Sequence, residues 1–278
     1  MKFFKKKKVE FKENSVPKIK TKYKIGLALS GGGARGFAHI GAIKAFEEKG
    51  MVFDYVAGTS AGSFVGAAYC AGYSAEEMID FSNTFADTDI KNPNFFFVST
   101  PASNIERVAD RLLLGATFDR LKIPFRAVSV DLISGEEYVF SEGSVAKAVS
   151  ASCAVPLVFK PVSFEGKLLA DGGLLNTIPS DVVRRMGADF VIAVDINSTR
   201  GMGMGEQKTK FLNIATATWR IVMKSTAYRG LMNSDIIIKP DLTKFSSTQS
   251  LGRNDMIDIG YKAAIDSIEE IFMSLGIK

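Results

Sequence analysis

The 278-residue sequence predicts an α/β fold with a mostly parallel central sheet and helices on both faces. Strand-like and helix-like segments alternate along the chain, and several strand-like segments are almost continuously apolar, as strands covered on both faces are. Hydrophobic residues make up 46% of the chain, enough to bury a substantial core. The two cysteines, Cys70 and Cys153, lie in unrelated apolar segments, so we expect two free core residues of a reduced intracellular protein.

Seven segments have the β-branched or aromatic cores of strands: residues 24–30, 53–57, 125–131, 137–140, 167–170, 189–195 and 235–239. Two helices are predicted to begin at capping boxes, one formed by Ser74 with Glu77 and the other by Ser103 with Glu106. Later apolar stripes at helical spacing predict two more helices whose stripes face the core. Their members are Phe211, Ile214, Ala215, Thr218, Ile221 and Val222 in one and Ile257, Tyr261, Ala264, Ile265, Ile268 and Phe272 in the other.

The basic residues are concentrated at the N-terminus. Residues 1–24 hold ten Lys and two Glu, a net charge of +8, whereas the rest of the chain has a net charge of −3. We predict that residues 1–22 form a disordered, solvated tail. The alternative is a membrane foot, in which the lysines bind anionic lipid and Phe3, Phe4 and Phe11 enter the headgroup layer. Nucleic-acid binding is not expected, because no basic stripe with interleaved aromatic residues continues past residue 24.

Neither a membrane-spanning helix nor a secretion signal is expected. The longest apolar stretch, residues 61–72, is too short to span a bilayer, and charge returns directly after the N-terminal lysines. We therefore expect a cytoplasmic protein, with peripheral attachment to the inner face of a membrane as the alternative. Two segments read as loops: 87–103, where Phe95, Phe96 and Phe97 could anchor the loop or line an acyl-chain entrance, and 198–208.

The strongest local signal is the sequence Gly58-Thr59-Ser60-Ala61-Gly62 between a predicted strand and a small-residue helix. This context defines a nucleophile elbow, in which a serine hydroxyl is exposed on a tight turn and the flanking glycines remove clashing Cβ atoms. The helix start favours developing negative charge. Because the motif also occurs by chance, it needs partner residues to indicate catalysis.

A second strand-to-helix turn is Gly31-Gly32-Gly33-Ala34-Arg35-Gly36. Its backbone amides can bind an anion, either a dinucleotide pyrophosphate or the oxyanion of an attacked ester. A dinucleotide site requires an acid at the end of the second strand, whereas Asp54 stands at the beginning of that strand. Arg35 is interpreted either as an anion clamp or as a solvent-facing residue at a helix start.

The third signal, Asp171-Gly172-Gly173, directly follows a predicted strand. Alone it is a common turn. The carboxyl ends of strands form the ligand crevice of open α/β sheets, so Asp171, Ser60 and the glycine loop are expected to converge there. The only histidine, His39, lies inside the first helix and is expected to be packed or bonded to the backbone. Catalysis would then fall to a Ser60–Asp171 dyad in which desolvation raises the pKa of Asp171.

These three motifs, in this order, resemble those of the patatin-like phospholipase family, and the likeness extends over roughly residues 25–195, including 131–135 and 150–161. The resemblance implies a three-layer α/β fold that hydrolyses lipid acyl esters without a metal or cofactor. Ser60 is implied as the nucleophile and Asp171 as the proton acceptor, and Gly31, Gly32, Gly33 and Arg35 match the family's oxyanion loop. We expect residues 23–278 to form one domain, with residues 209–278 packing on the core.

The sequence therefore predicts a serine acyl-ester hydrolase of the phospholipase A or lysophospholipase type. The amides of the Gly31–Gly33 loop and of Ala61 would hold the oxyanion, and the remaining motif glycines Gly36, Gly58, Gly62, Gly172 and Gly173 would shape the turns. A non-catalytic lipid-binding or regulatory adaptor and a dinucleotide-binding oxidoreductase remain alternatives. Lipid head group, acyl length and oligomeric state cannot be read from the sequence.

Overall fold

A computed structural model describes residues 17–88, 101–197, 211–245 and 252–277. The strands in these ranges are β1 (Ile25–Leu29), β2 (Tyr55–Thr59), β3 (Phe125–Asp131), β4 (Glu136–Phe140), β5 (Val162–Phe164), β6 (Lys167–Asp171), β7 (Phe190–Val194) and β8 (Ile236–Ile238). The helices are α1 (Phe37–Glu48), α2 (Ala61–Ala71), α3 (Ala75–Thr88), α4 (Ser103–Leu113), α5 (Val145–Ser152), α6 (Ser180–Arg185), α7 (Phe211–Thr226), α8 (Tyr228–Met232) and α9 (Arg253–Leu275).

The strands form one mixed sheet in the order β5-β6-β3-β2-β1-β7-β8, with β4 paired to β3. The pairings among β3, β2, β1, β7 and β8 are parallel, whereas β4, β5 and β6 join through antiparallel pairings. This confirms the predicted α/β class and mostly parallel sheet. The sequence prediction missed β5, which has only three residues. Its signal was the two-residue turn to β6, Glu165-Gly166, where both residues have the positive φ (47° and 77°) of a tight hairpin.

Side chains alternate between the two faces of the sheet. In β1, Leu27 and Leu29 pack into a large core that also includes side chains of α1, α2, α5 and α9. Ala28 faces the other way, where a smaller core contains Val183 of α6. This second face requires small residues, because a Cβ on Gly26 would lie 2.0 Å from Val183 Cγ1. The result is the expected three-layer arrangement.

One predicted capping box is confirmed and the other is wrong. The Ser74 amide donates to the Glu77 carboxylate (2.9 Å) and the Glu77 amide to the Ser74 hydroxyl (3.3 Å). Ser103 instead lies inside α4, whose N-cap residue Ala102 provides no side-chain bond. Glu106 is free of the cap and forms an ion pair with Lys147 (3.5 Å).

The stripe on α9 is confirmed as core, since Ile257, Ala264 and Ile268 are buried. The stripe predicted to bury α7 is wrong at Ile214 and Ile221, which are 46% and 63% exposed, while Ala217 and Met223 are buried. The side chains of its members Phe211 and Ala215 lie outside the described residues. The physical reason is that α7 packs on the narrow turn Gly172–Leu174 after β6, so it buries the residues that face that turn.

Residues 17–24 have little regular structure before β1. The Ile19 amide nevertheless donates to the Gly50 carbonyl (2.9 Å), so the end of the predicted tail is bonded to the domain. Residues 1–16, Phe95–Phe97 and the loop 198–208 lie outside the described residues, and so do the interpretations made for them. Across the described ranges, no helix combines the length and apolar character needed to cross a bilayer.

Candidate active site

The sheet register brings the serine and Asp-Gly-Gly turns together. Since β4 occupies one edge of β3, β2 and β6 share the other edge. Thr59 of β2 lies opposite Val128, and Asp171 of β6 lies opposite the next residue, Ser129. The two strands therefore meet head to head at their carboxyl ends. The predicted convergence rested on parallel strands, whereas β6 is antiparallel to β3 and reaches the same place from the opposite direction.

Ser60 lies on a strained turn between β2 and α2, with φ 51° and ψ −124°. A positive φ at a non-glycine residue costs about 1–3 kcal/mol and persists only where its surroundings impose it. They do so here: a Cβ on Gly58 would lie 2.4 Å from the Gly62 carbonyl oxygen, and a Cβ on Gly62 would lie 2.1 Å from that of Leu29. This is the geometry of a nucleophile elbow.

A buried serine that the sequence analysis did not single out holds this elbow. The Ser152 hydroxyl accepts the Ser60 amide proton (2.9 Å) and donates to the Val128 carbonyl (2.6 Å). The elbow is thereby fixed to β3, the strand that also positions Asp171.

Asp171 is fully buried. Its Oδ1 accepts the Gly173 amide proton (2.8 Å), while Oδ2 makes no hydrogen bond of regular geometry to any described residue. Burial raises the pKa of Asp171 to about 7, although the Ser60 hydroxyl and the Gly173 amide act in the opposite direction. Ser60 thus lies close enough to act on the carboxyl group without an aligned hydrogen bond, and such bonds often tighten only when substrate binds.

The glycine loop packs directly on Ser60, since a Cβ on Gly31 would lie 3.3 Å from that of Ser60. The Gly31 amide donates to the Thr177 carbonyl (3.0 Å), which corrects its predicted role as an oxyanion donor. The amides of Gly32 and Gly33 precede or open a 3-10 turn, and that of Ala61 opens α2, so none has an intrahelical acceptor. These three amides are the candidate oxyanion donors.

Arg35 fits neither of its predicted roles. Its side chain is buried, and Nε and Nη2 both donate to the Phe245 carbonyl (3.0 and 2.8 Å). The guanidinium therefore ties the glycine loop to the segment before α9, and it is neither an anion clamp nor solvent-facing.

His39 is bonded to the backbone, as expected. It is fully buried, its Nε2–H donates to the Ser30 carbonyl (2.8 Å), and burial lowers its pKa to about 4. The imidazole is neutral at physiological pH.

Cys153 packs against the core, as expected, but it is only partly buried and also lines an apolar pocket beside Ser60. Burial together with the nearby Asp171 charge raises the pKa of its thiol to about 12. Cys70 is a buried core residue as expected, and both cysteines are free. A cysteine in an apolar sequence segment gives no signal that distinguishes these two positions.

Two further residues surround the dyad. The Asn176 side-chain amide donates to Glu137 and Asp181 (2.8 Å each), and the Asn176 backbone carbonyl accepts from the Thr59 hydroxyl (2.8 Å). Asn176 therefore links the turn after Asp171 to the residue before Ser60. The sequence signal that could have identified it is its position shortly after Asp171-Gly172-Gly173. Met223 of α7 covers the other side, in contact range of Gly31 and Gly173.

The geometry does not support a dinucleotide site at the glycine loop. Asp54, the nearest acid to a dinucleotide fingerprint, accepts from the Ile25 amide (2.9 Å) and Lys24 Nζ (2.8 Å), at the opposite end of β1 from the glycine loop. Within the described ranges, no group of three His, Cys, Asp or Glu side chains is arranged to hold a metal ion.

Known proteins resemble this chain in both sequence and motifs. The family model described as patatin-like phospholipase matches residues 27–184, which include all three turns. An uncharacterized NTE family protein of Mycobacterium tuberculosis is 35% identical over 212 residues, covering 73% of this chain and 57% of its own length. Mouse patatin-like phospholipase domain-containing protein 6 is 36% identical over 185 residues, 63% of this chain and 14% of that protein. The chain belongs to the patatin-like phospholipase family.

Solved structures agree on the fold. VipD from Legionella pneumophila superposes with a TM-score of 0.62 at 16% identity, over 96% of this chain and 72% of that chain. Human GIVD cytosolic phospholipase A2 gives a TM-score of 0.55 at 10% identity, over 91% of this chain and 60% of that one.

Proposed function

We propose that this protein hydrolyses lipid acyl esters with Ser60 as nucleophile and Asp171 as general base. The observation that carries the proposal is the meeting of a strained serine elbow and a buried, partly unpartnered carboxyl group at the mouth of an apolar pocket. Membership of the patatin-like phospholipase family supports a lipid substrate.

In the first step, Ser60 Oγ attacks the ester carbonyl carbon while its proton passes to Asp171. The carbonyl oxygen becomes an oxyanion, which the amides of Gly32, Gly33 and Ala61 stabilise. Collapse of this intermediate breaks the ester bond, and protonated Asp171 returns the proton to the departing alcohol. An acyl-Ser60 ester remains.

In the second step, Asp171 takes a proton from water, and the resulting hydroxide attacks the acyl group. The acyl–Ser60 bond breaks, Ser60 recovers its proton and a fatty acid is released. A carboxylate with an ordinary pKa is a weak base for either step, so the burial of Asp171 is central to the proposal.

The test is turnover of phospholipid, lysophospholipid and glyceride esters by the full chain, together with fluorophosphonate labelling and mapping of the labelled residue. We expect labelling at Ser60, and a loss of turnover of about 10⁴-fold or more in Ser60→Ala and Asp171→Asn. Asp171→Asn is assayed freshly prepared, because an Asn-Gly pair deamidates to aspartate.

Matched controls are Ser134→Ala and Asp119→Asn, which make the same chemical changes at exposed positions away from the site. Both are expected to retain activity. Wild-type-like turnover in Ser60→Ala or in fresh Asp171→Asn would remove that residue from the mechanism, and labelling elsewhere would refute the proposed nucleophile.

A further inference from the structure

An apolar pocket of about 310 Å³ begins at Ser60. Among the described residues that line it, polar side chains come only from Ser60, Ser82 and Cys153. The Ser82 hydroxyl is satisfied, since it donates to the Ile79 carbonyl (2.7 Å). The described walls therefore suit a hydrocarbon chain, since beyond the reaction centre none of their groups would bind a polar chain.

Helix α2 gives the pocket a measurable length. Ser60, the residue before α2, lines it together with Ala61, Val65 and Ala68, which lie one turn apart along the helix. Ala68 is eight positions after Ser60, so at about 1.5 Å of rise per residue the pocket extends about 12 Å along the helix axis. The reaction centre lies at one end of this wall.

Helix α4 forms another wall, with Ile105, Val108 and Leu112. Its start lies near the reaction centre: the Ala102 carbonyl accepts from Ser150, which is in the same short helix as Ser152, the partner of the Ser60 amide. Its end lies away from the reaction centre, because the Leu112 carbonyl accepts from Tyr73, just past the end of α2 (2.5 Å). Leu112 and Ala68 therefore lie at the same far end.

Solvent access falls along the pocket. At the reaction centre Ser60 itself is 5% exposed, but beside it Gly33 is exposed and Ala61 is partly exposed. At the far end, Ala68 is 1% exposed and Leu112 is 4% exposed. The pocket is open beside the reaction centre and closed at Ala68 and Leu112.

We infer that the pocket measures the acyl chain of the substrate, with Leu112 and Ala68 setting its length limit. This inference rests on the proposed function. A zigzag chain advances somewhat less than one C–C bond of about 1.5 Å per carbon. About ten carbons then extend from Ser60 to the closed end, and the volume accepts one such chain at a time.

The first measurement is kcat/KM of the full chain for p-nitrophenyl esters with acyl chains of four to sixteen carbons. Each added methylene is expected to raise kcat/KM by about fourfold, the gain from burying one methylene, until the chain fills the pocket. Beyond about ten carbons we expect a plateau or a fall.

Two substitutions move the closed end in opposite directions. Leu112→Ala enlarges it and is expected to shift the optimum about two carbons longer, whereas Ala68→Leu fills it and shifts the optimum about two carbons shorter. Leu113→Ala is the matched control for Leu112→Ala: it makes the same truncation at an equally buried neighbour that does not line the pocket. It should lower stability comparably and leave the optimum unchanged.

A second measurement does not depend on catalysis. Displacement of a fluorescent fatty-acid probe by saturated fatty acids of increasing length should show affinity rising to about ten carbons and then levelling. Turnover with a flat chain-length profile, or with one optimum shared by all variants, would overturn the length limit while the hydrolase proposal stands. Absence of ester turnover with the expected binding profile would overturn the hydrolase proposal and leave the pocket's length limit intact.

Discussion

Burial sets the acidity of Asp171. No cationic side chain among the described residues acts on its carboxyl group, and burial outweighs the Ser60 hydroxyl and the Gly173 amide in raising its pKa to about 7. With the only histidine bonded to the backbone, this shift gives the proposed base, Asp171, a pKa in the neutral range.

The activity of the wild-type protein is predicted to rise with pH through about 7. Asp171 must be deprotonated to accept the Ser60 proton, so below its pKa the active fraction falls about tenfold per pH unit. The measurement is kcat/KM for an uncharged ester between pH 5 and 9, which reports the free enzyme. Asp119→Asn, at an exposed site, should show the same midpoint, and a profile that is flat between pH 5.5 and 8 would contradict Asp171 as the base.

At the scale of elements, α1 and α9 pack backbone to backbone. A Cβ on Gly41 of α1 would lie 1.9 Å from the Ile257 carbonyl oxygen, and a Cβ on Gly260 of α9 would lie 2.0 Å from that of Ala38. Because α1 begins directly after the glycine loop, this contact supports the loop from behind. Arg35 adds a second connection to the segment before α9.

Gly41→Ala is therefore predicted to destabilise the protein by about 1–3 kcal/mol, because its Cβ meets backbone that cannot move aside. Gly66→Ala in α2 is the matched control. It has the same gain of about 1 kcal/mol in helix propensity, but its Cβ would meet side chains and not backbone: the Phe125 ring at 3.0 Å, and Leu29 and Val56 at 3.4 Å. Urea unfolding of both variants measures the difference. Equal stabilities would show that α9 does not pack on α1 this closely.

At the scale of the whole molecule, a buried carboxyl group reduces stability when it is ionised. The pKa of Asp171 is raised from 3.8 to about 7 on folding. Its favourable contribution is therefore fully present below about pH 3.8 and is lost as pH rises through about 7. Site chemistry and fold stability are in conflict at this one residue.

Asp171→Asn is predicted to be more stable than the wild type at pH 8, while losing activity. Its advantage in free energy of unfolding should grow by at most about 1.4 kcal/mol per pH unit between about pH 4 and 7, and stay constant above that range. Denaturant unfolding of both proteins at several pH values tests this. A constant difference across the range would mean that the pKa of Asp171 is not raised by folding.

The sequence determined the class of fold, most strands, the elbow glycines and the turns that carry Ser60 and Asp171, because apolar periodicity and glycine spacing are local properties of the chain. Local patterns misjudged α7, where Ile214 and Ile221 of a stripe with helical spacing are exposed to solvent. They also missed Ser152 and Asn176, whose importance lies in partners far away in the sequence.

Only the tertiary structure decided which groups meet, and which pKa values and hydrogen-bond partners they have. The head-to-head approach of β2 and β6 depends on the register of both strands on β3, which no single segment encodes. The raised pKa of Asp171, the occupied Gly31 amide and the inward turn of Arg35 likewise depend on burial and on partners supplied by other elements. Desolvation and long-range hydrogen bonds are properties of the packed molecule. The sequence could therefore identify the candidate site residues, but it could not determine their pKa values or their hydrogen-bond partners.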